Sequence, residues 1–185
     1  MLTEIKITKN DHLFAKKSTD KIQSALENSG LRSRFNTDEY ENRYTGQLGE
    51  CIFSRWLTNN DIKFDWQSEV TGRADDYDFI IKGHIWDVKT NIRRYPMDNF
   101  TQNGHYDILL HKYQLKAKTG YYFWILIQTY SKPQHSNIAY LCGCMPGSAV
   151  HDYPVTEKIK GVPCYAIPIN DLINTEDSLN LMRFK

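Results

Sequence analysis

DYDFIIKGHIWDVKT, residues 76–90, is the stretch from which the fold can be read. Two runs rich in β-formers flank Lys82-Gly83, and glycine at the second position of a two-residue loop suits a tight hairpin turn. With that loop, Ile81 faces His84, Ile80 faces Ile85, Phe79 faces Trp86 and Asp78 faces Asp87. Side chains alternate along a strand, so Asp78, Ile80, Ile85, Asp87 and Lys89 share one face. Phe79, Ile81, Trp86 and Val88 share the other, the apolar face expected to meet the core. Two carboxylates directly opposite have β-carbons about 5 Å apart and repel each other. A divalent cation reverses that sign, since Mg²⁺ takes carboxylate oxygens at about 2.0–2.1 Å. Lys89 points the same way as Asp87 and reaches the water that such a metal would hold. The plainer explanation is a solvated face on which Lys89 neutralises two acids. The helix before the hairpin weighs against it.

That helix covers about residues 38–59. Within YTGQLGECIFSRWL (residues 44–57), Leu48, Ile52, Phe53, Trp56 and Leu57 recur at helical spacing. Gly46 and Gly49 fall on the same apolar side. Each costs roughly 1 kcal/mol relative to alanine in a helix interior, so the pair suggests close approach to a sheet. Glu50 lies roughly 100° from the centre of that face, at its edge, where a carboxylate can reach a helix–sheet boundary.

The remaining pattern is a helix over 11–29 that stops at Gly30, then strands at 62–70, 77–82, 84–90, 121–130, 137–144 and 163–168. Residues 105–111 are an ambiguous apolar run, and Asn170 to Ile173 a short polar-capped segment. The first helix is poor in apolar residues and is expected to pack at the periphery. The strand 121–130 is apolar on both faces from Phe123 to Ile127 and should lie centrally, covered on both sides. The expected architecture is α/β, a mixed central β-sheet flanked by helices, with residues 1–36 as an N-terminal helical extension and 37–185 as the main domain.

Composition bounds the partners. The 185 residues are 41% hydrophobic and 24% charged, ordinary for a soluble domain. No run approaches the roughly 18–20 apolar residues of a membrane span, and the polar start MLTEIKITKNDHLF is unlike a signal peptide, so a cytoplasmic protein without a membrane partner is expected. A net charge of +1 gives no large positive field, so nucleic acid would need local patches: Arg32 with Arg34, Arg93 with Arg94, or Lys112, Lys116 and Lys118. The four cysteines suit reduced thiols. Cys142 and Cys144 are expected on one strand face, but no second pair stands at zinc-ligand spacing, and the six histidines form no recognisable pair.

Together, Glu50, Asp78, Asp87 and Lys89 resemble the PD-(D/E)xK nuclease superfamily: a helix Glu, then an Asp, then Asp-Val-Lys at 87–89 on adjacent strands. The resemblance spans about residues 44–130. Tyr77 stands where the family pattern has Pro, and Asp75 or Asp76 could replace Asp78 were the strand to begin earlier. Asp-x-Lys alone is a weak motif; the ordered set is more specific. The resemblance implies a restriction-endonuclease-like core and Mg²⁺-dependent hydrolysis of phosphodiesters, with Mn²⁺ as substitute, of the kind used in restriction, recombination, repair or mobile elements. It implies Asp78, Asp87 and the Val88 carbonyl as metal ligands, and Glu50 acting through water or on a second metal. Lys89 would orient the attacking water, with Arg93 and Arg94 on phosphates and Thr90 and Gln128 nearby. The expected partner is nucleic acid, DNA before RNA, with a homodimer left open. The rivals are an RNA-cleaving enzyme with the same site and a non-catalytic nucleic-acid-binding domain on a nuclease fold.

Overall fold

The computed structural model describes residues 2–29, 39–67, 77–94, 106–159 and 161–184. Gly30, the Arg32 and Arg34 patch, residues 68–70, Asp75, Asp76 and the boundary at 36/37 lie outside them. The hairpin forms in the expected register. β3 (Phe79–Ile81) and β4 (His84–Arg93) pair Phe79 with Trp86, Ile80 with Ile85 and Ile81 with His84. Lys82 (φ 50°) and Gly83 (φ 78°) are both left-handed, as a type I′ turn demands.

Around this hairpin runs a six-stranded sheet in the order β1-β7-β6-β4-β3-β2, with β1 Thr3–Lys6, β2 Asp65–Trp66, β6 Tyr121–Gln128 and β7 Ile138–Pro146. Among the described residues, only β4 and β6 pair in parallel. The crossover between them passes through β5 (Asp107–His111), which joins β9 (Val162–Pro168) and β8 (Val155–Ile159) in a second, three-stranded antiparallel sheet.

The large sheet is covered on both sides. On one, α2 (Glu39–Asn59) lays Leu48, Ile52 and Phe53 against Phe79, Val88, Phe123 and Ile125. On the other, Ile108, Leu110 and Ile167 of the small sheet meet Tyr122, Trp124 and Leu126. β6 therefore contributes alternate residues to two cores and is central, as its apolar run requires. α1 (Lys9–Ser29) packs on α2. It starts two residues before the expected helix because Thr8 and Asp11 cap it reciprocally: the Thr8 N–H and hydroxyl donate to Asp11, and the Asp11 N–H donates to Thr8 Oγ1.

Several expectations change. Residues 3–6 are an edge strand on β7, and Ile7 and Ala15 lie in the α2-side core, so the described part of residues 1–36 is built into the domain rather than appended to it. Only Asp65–Trp66 of the described residues in 62–70 is strand. Residues 107–111 are a strand, and Asn170–Asp171 sit in a 3-10 turn followed by α3 (Thr175–Phe184), whose first N–H groups at Glu176 and Asp177 donate to the Asn174 side chain. Cys142 and Cys144 do not share a face. A bulge shifts the β6–β7 register, pairing Trp124 with Gly143 but Ile125 with Leu141, so Cys142 enters the small-sheet core and Cys144 the α2 core. Gly143 (φ 122°) permits it, and any Cβ there would lie 2.0 Å from the Ile173 carbonyl oxygen.

Candidate active site

β4 is ten residues long, but β3 pairs only with its first three. Beyond Trp86, Asp78 takes over: its Oδ2 accepts a 2.7 Å hydrogen bond from the Val88 N–H, where a strand neighbour would otherwise pair. Asp78 is thus turned toward the β4 backbone rather than standing squarely opposite Asp87 on the sheet face. The Ile85 and Arg93 carbonyls accept from Gly120 and Thr129 on the β6 side. Backbone direction alternates along a strand, so the Val88 carbonyl faces the same edge as its N–H, toward Asp78.

Asp87 is fully buried on the small-sheet side of β4. Two ammonium groups reach it: Lys89 at Oδ2, and Lys116 at Oδ1, 2.7 Å away. Burial would lower the Lys116 ammonium, but the charge of Asp87 and its hydrogen bond, with Asp78 behind, hold it above the ordinary lysine value. Burial also acts on Asp78, raising its carboxyl to about 6; the charge of Asp87 adds to this, and Lys89, Lys116 and the Val88 N–H only partly oppose it. The site therefore stores a like-charge conflict that cations relieve.

These groups open into a cleft of about 750 Å³ that runs past the part of β4 beyond its pairing with β3, between α2 and the small sheet. Thr45, Gly46 and Glu50 line it from α2, and His111, Lys116 and Cys164 from the opposite side. Glu50 is in the wall, as expected from its place on the helix, with Oε1 accepting from Gln47 and Oε2 from Trp66. Among the described residues no three His, Cys, Asp or Glu side chains are gathered as a metal-binding group, so Glu50 stands apart from the two aspartates.

Gly49 makes the close approach that its position on the helix predicts: an added Cβ would lie 1.8 Å from Thr90 Oγ1. Gly46 does not; an added Cβ would meet nothing within 4 Å, because it borders the cleft. Thr90 lines the cleft as well. Arg93 and Arg94 are not among the lining residues, and the Arg93 guanidinium lies 4.9 Å from the centre of the Tyr106 ring. Gln128 pairs with Arg93 and bonds Tyr130 and Tyr140, away from the cleft. Sequence reading missed Lys116 and His111 as site residues. The only signal for them was the basic run containing Lys116, which is indistinguishable from a solvated face until β5 carries it across the sheet.

Compared with protein-family models, with curated proteins and with solved structures, the chain matches none.

Proposed function

We propose that this protein is a metal-dependent nuclease of PD-(D/E)xK type, hydrolysing phosphodiester bonds in nucleic acid, DNA foremost, on a restriction-endonuclease-like core. The observation that carries the reading is the meeting of Asp78 and Asp87 on β4 just beyond its pairing with β3, with Lys89 on the same strand, inside a cleft. The donor set fits Mg²⁺: two carboxylates and a carbonyl are hard oxygen ligands, and the Asp78 carboxyl, raised by burial and then by the charge of Asp87, is a group whose ionised form a cation would favour. Asp78, Asp87 and the Val88 carbonyl would hold the ion, and Glu50 would act from the cleft wall through water. Bound there, the metal supplies Lewis-acid stabilisation of the phosphoryl oxygens and lowers the pKa of its water.

The chain's own groups do the rest. Lys89 does not ligate a cation; released from Asp87, its ammonium orients the attacking water and stabilises its hydroxide form. Lys116 lies across the same carboxylate and is placed to meet the non-bridging phosphate oxygens. The burial of Asp87 limits competing water.

One observation favours the rival. Lys89 and Lys116 already neutralise Asp87, so the cluster could serve as a buried ion triad in a binding module. Calorimetric titration with Mn²⁺ separates the two. The nuclease reading expects binding by wild type and its loss in Asp78→Asn. Equal binding by both proteins, or none by wild type, favours the module.

A further inference from the structure

The basic, aromatic segment opposite α2 is the strongest unassigned feature outside the acidic pair. Residues 111–118, HKYQLKAK, carry Lys112, Lys116 and Lys118 and no acid. Tyr113 is 77% exposed, and among the described residues it is the largely exposed large apolar side chain that stands between cleft-lining residues, His111 and Gln114. An exposed tyrosine alone is ordinary. This one is held in place: its N–H donates to His111 Nδ1, and the two rings lie 5.2 Å apart. The following turn is fixed too, since the Lys116 N–H donates to the Tyr122 hydroxyl at 2.7 Å and the Thr119 N–H to the Lys116 carbonyl. Lys112 and Lys118 are exposed, while Lys116 reaches inward to Asp87. The segment thus presents a stacking face and two outward charges at the rim, and a third charge beside the buried acids.

We propose that His111–Lys118 is a strand-binding rim that delivers single-stranded nucleic acid into the cleft, with Tyr113 stacking a base and Lys112 and Lys118 holding flanking phosphates. The proposal rests on the reading of the cleft as a phosphodiester site. Single strands are favoured because Asp87 has no exposed surface and Asp78, half-buried, is turned onto the β4 backbone beside it. A cleft of about 750 Å³ has room for an unpaired nucleotide, which can bring its phosphate in without a partner strand beside it. Stacking on an aromatic with lysines along the backbone is a sequence-tolerant way to hold such a strand.

Fluorescence anisotropy in EDTA tests binding without cleavage, using dT20, an abasic strand of equal length and the dT20·dA20 duplex. Wild type should bind dT20 more tightly than the duplex. Tyr113→Ala should lose roughly 5- to 150-fold for dT20 and leave the abasic strand unaffected, and Tyr113→Phe should restore binding. Lys112→Ala with Lys118→Ala should reduce the slope of log affinity against log salt by about 1.4 for two phosphates on a single strand. Duplex bound as tightly as dT20, or Tyr113→Ala without effect on dT20, overturns the proposal. The nuclease reading fails separately: the expected dT20 binding with no cleavage of any substrate in Mn²⁺ would remove it and keep the rim.

Discussion

Asp78 loses its solvent to burial and faces the charge of Asp87, and the two together raise its carboxyl to about 6. An acid whose pKa is higher in the folded state than in the unfolded chain, where it is about 3.9, favours folding when protonated. That contribution is complete below about pH 4 and is lost as the pH rises through about 6. Urea unfolding in EDTA should therefore show wild type losing stability relative to Asp78→Asn between pH 4 and 6.5; asparagine keeps an acceptor for the Val88 N–H and carries no charge. Parallel curves would show that Asp78 is not perturbed. Asp87 behaves differently. The like-charge argument from the hairpin alone makes its removal stabilising, but two lysines depend on it. Asp87→Ala should cost about 1.5–3 kcal/mol in EDTA, the range for hydrogen bonds to charged groups. No loss in denaturant melts would mean that both ammonium groups simply turn to water.

At the scale of elements, α2 approaches β4 most closely at Gly49. Gly49→Ala would set a methyl 1.8 Å from Thr90 Oγ1, so either the helix or the strand must shift. Overpacking of this kind costs about 1–3 kcal/mol, and Thr90→Ala in the same chain should recover part of it. Gly46→Ala has open space and a helix to stabilise, so it should gain up to about 1 kcal/mol. Thermal melts of the three variants check the pair; equal effects at Gly46 and Gly49 would contradict the contact. Sequence reading put both glycines on the packing face, but only Gly49 makes the approach, because helical periodicity shows direction and not distance. The three pairs from Phe79–Trp86 to Ile81–His84 were legible, since a two-residue loop and a period of two leave no freedom in register; the turn of Asp78 onto the Val88 N–H was not. The Cys142 bulge was not: it depends on Ile173 approaching Gly143, a contact between segments far apart in the chain. β1 has a single apolar residue, Ile5, and exists only because β7 offers it an edge.

Over the whole molecule, the acids come from one hairpin and the helix glutamate from the element before it, which is why spacing alone brought three of the four proposed catalytic residues, Asp78, Asp87 and Lys89, to one place and Glu50 to the same cleft. Lys116 and His111 arrive through the parallel crossover, and no local pattern encodes where a crossover returns. Arg93 and Arg94 follow Lys89 closely in sequence, but they are not among the residues lining the cleft. No described helix is long and apolar enough to cross a membrane. The central claim is that Asp78, Asp87 and Lys89 form a hydrolytic centre. The most direct test is cleavage of plasmid, linear duplex, single-stranded DNA and RNA by wild type and Lys89→Ala, in Mg²⁺, Mn²⁺ or EDTA, with circular dichroism confirming that both fold. The account predicts metal-dependent cleavage of at least one substrate by wild type, abolished in EDTA and reduced at least 100-fold, on the order expected for losing a transition-state donor, in Lys89→Ala. Equal cleavage by the two proteins, or none by wild type in either metal, would contradict it.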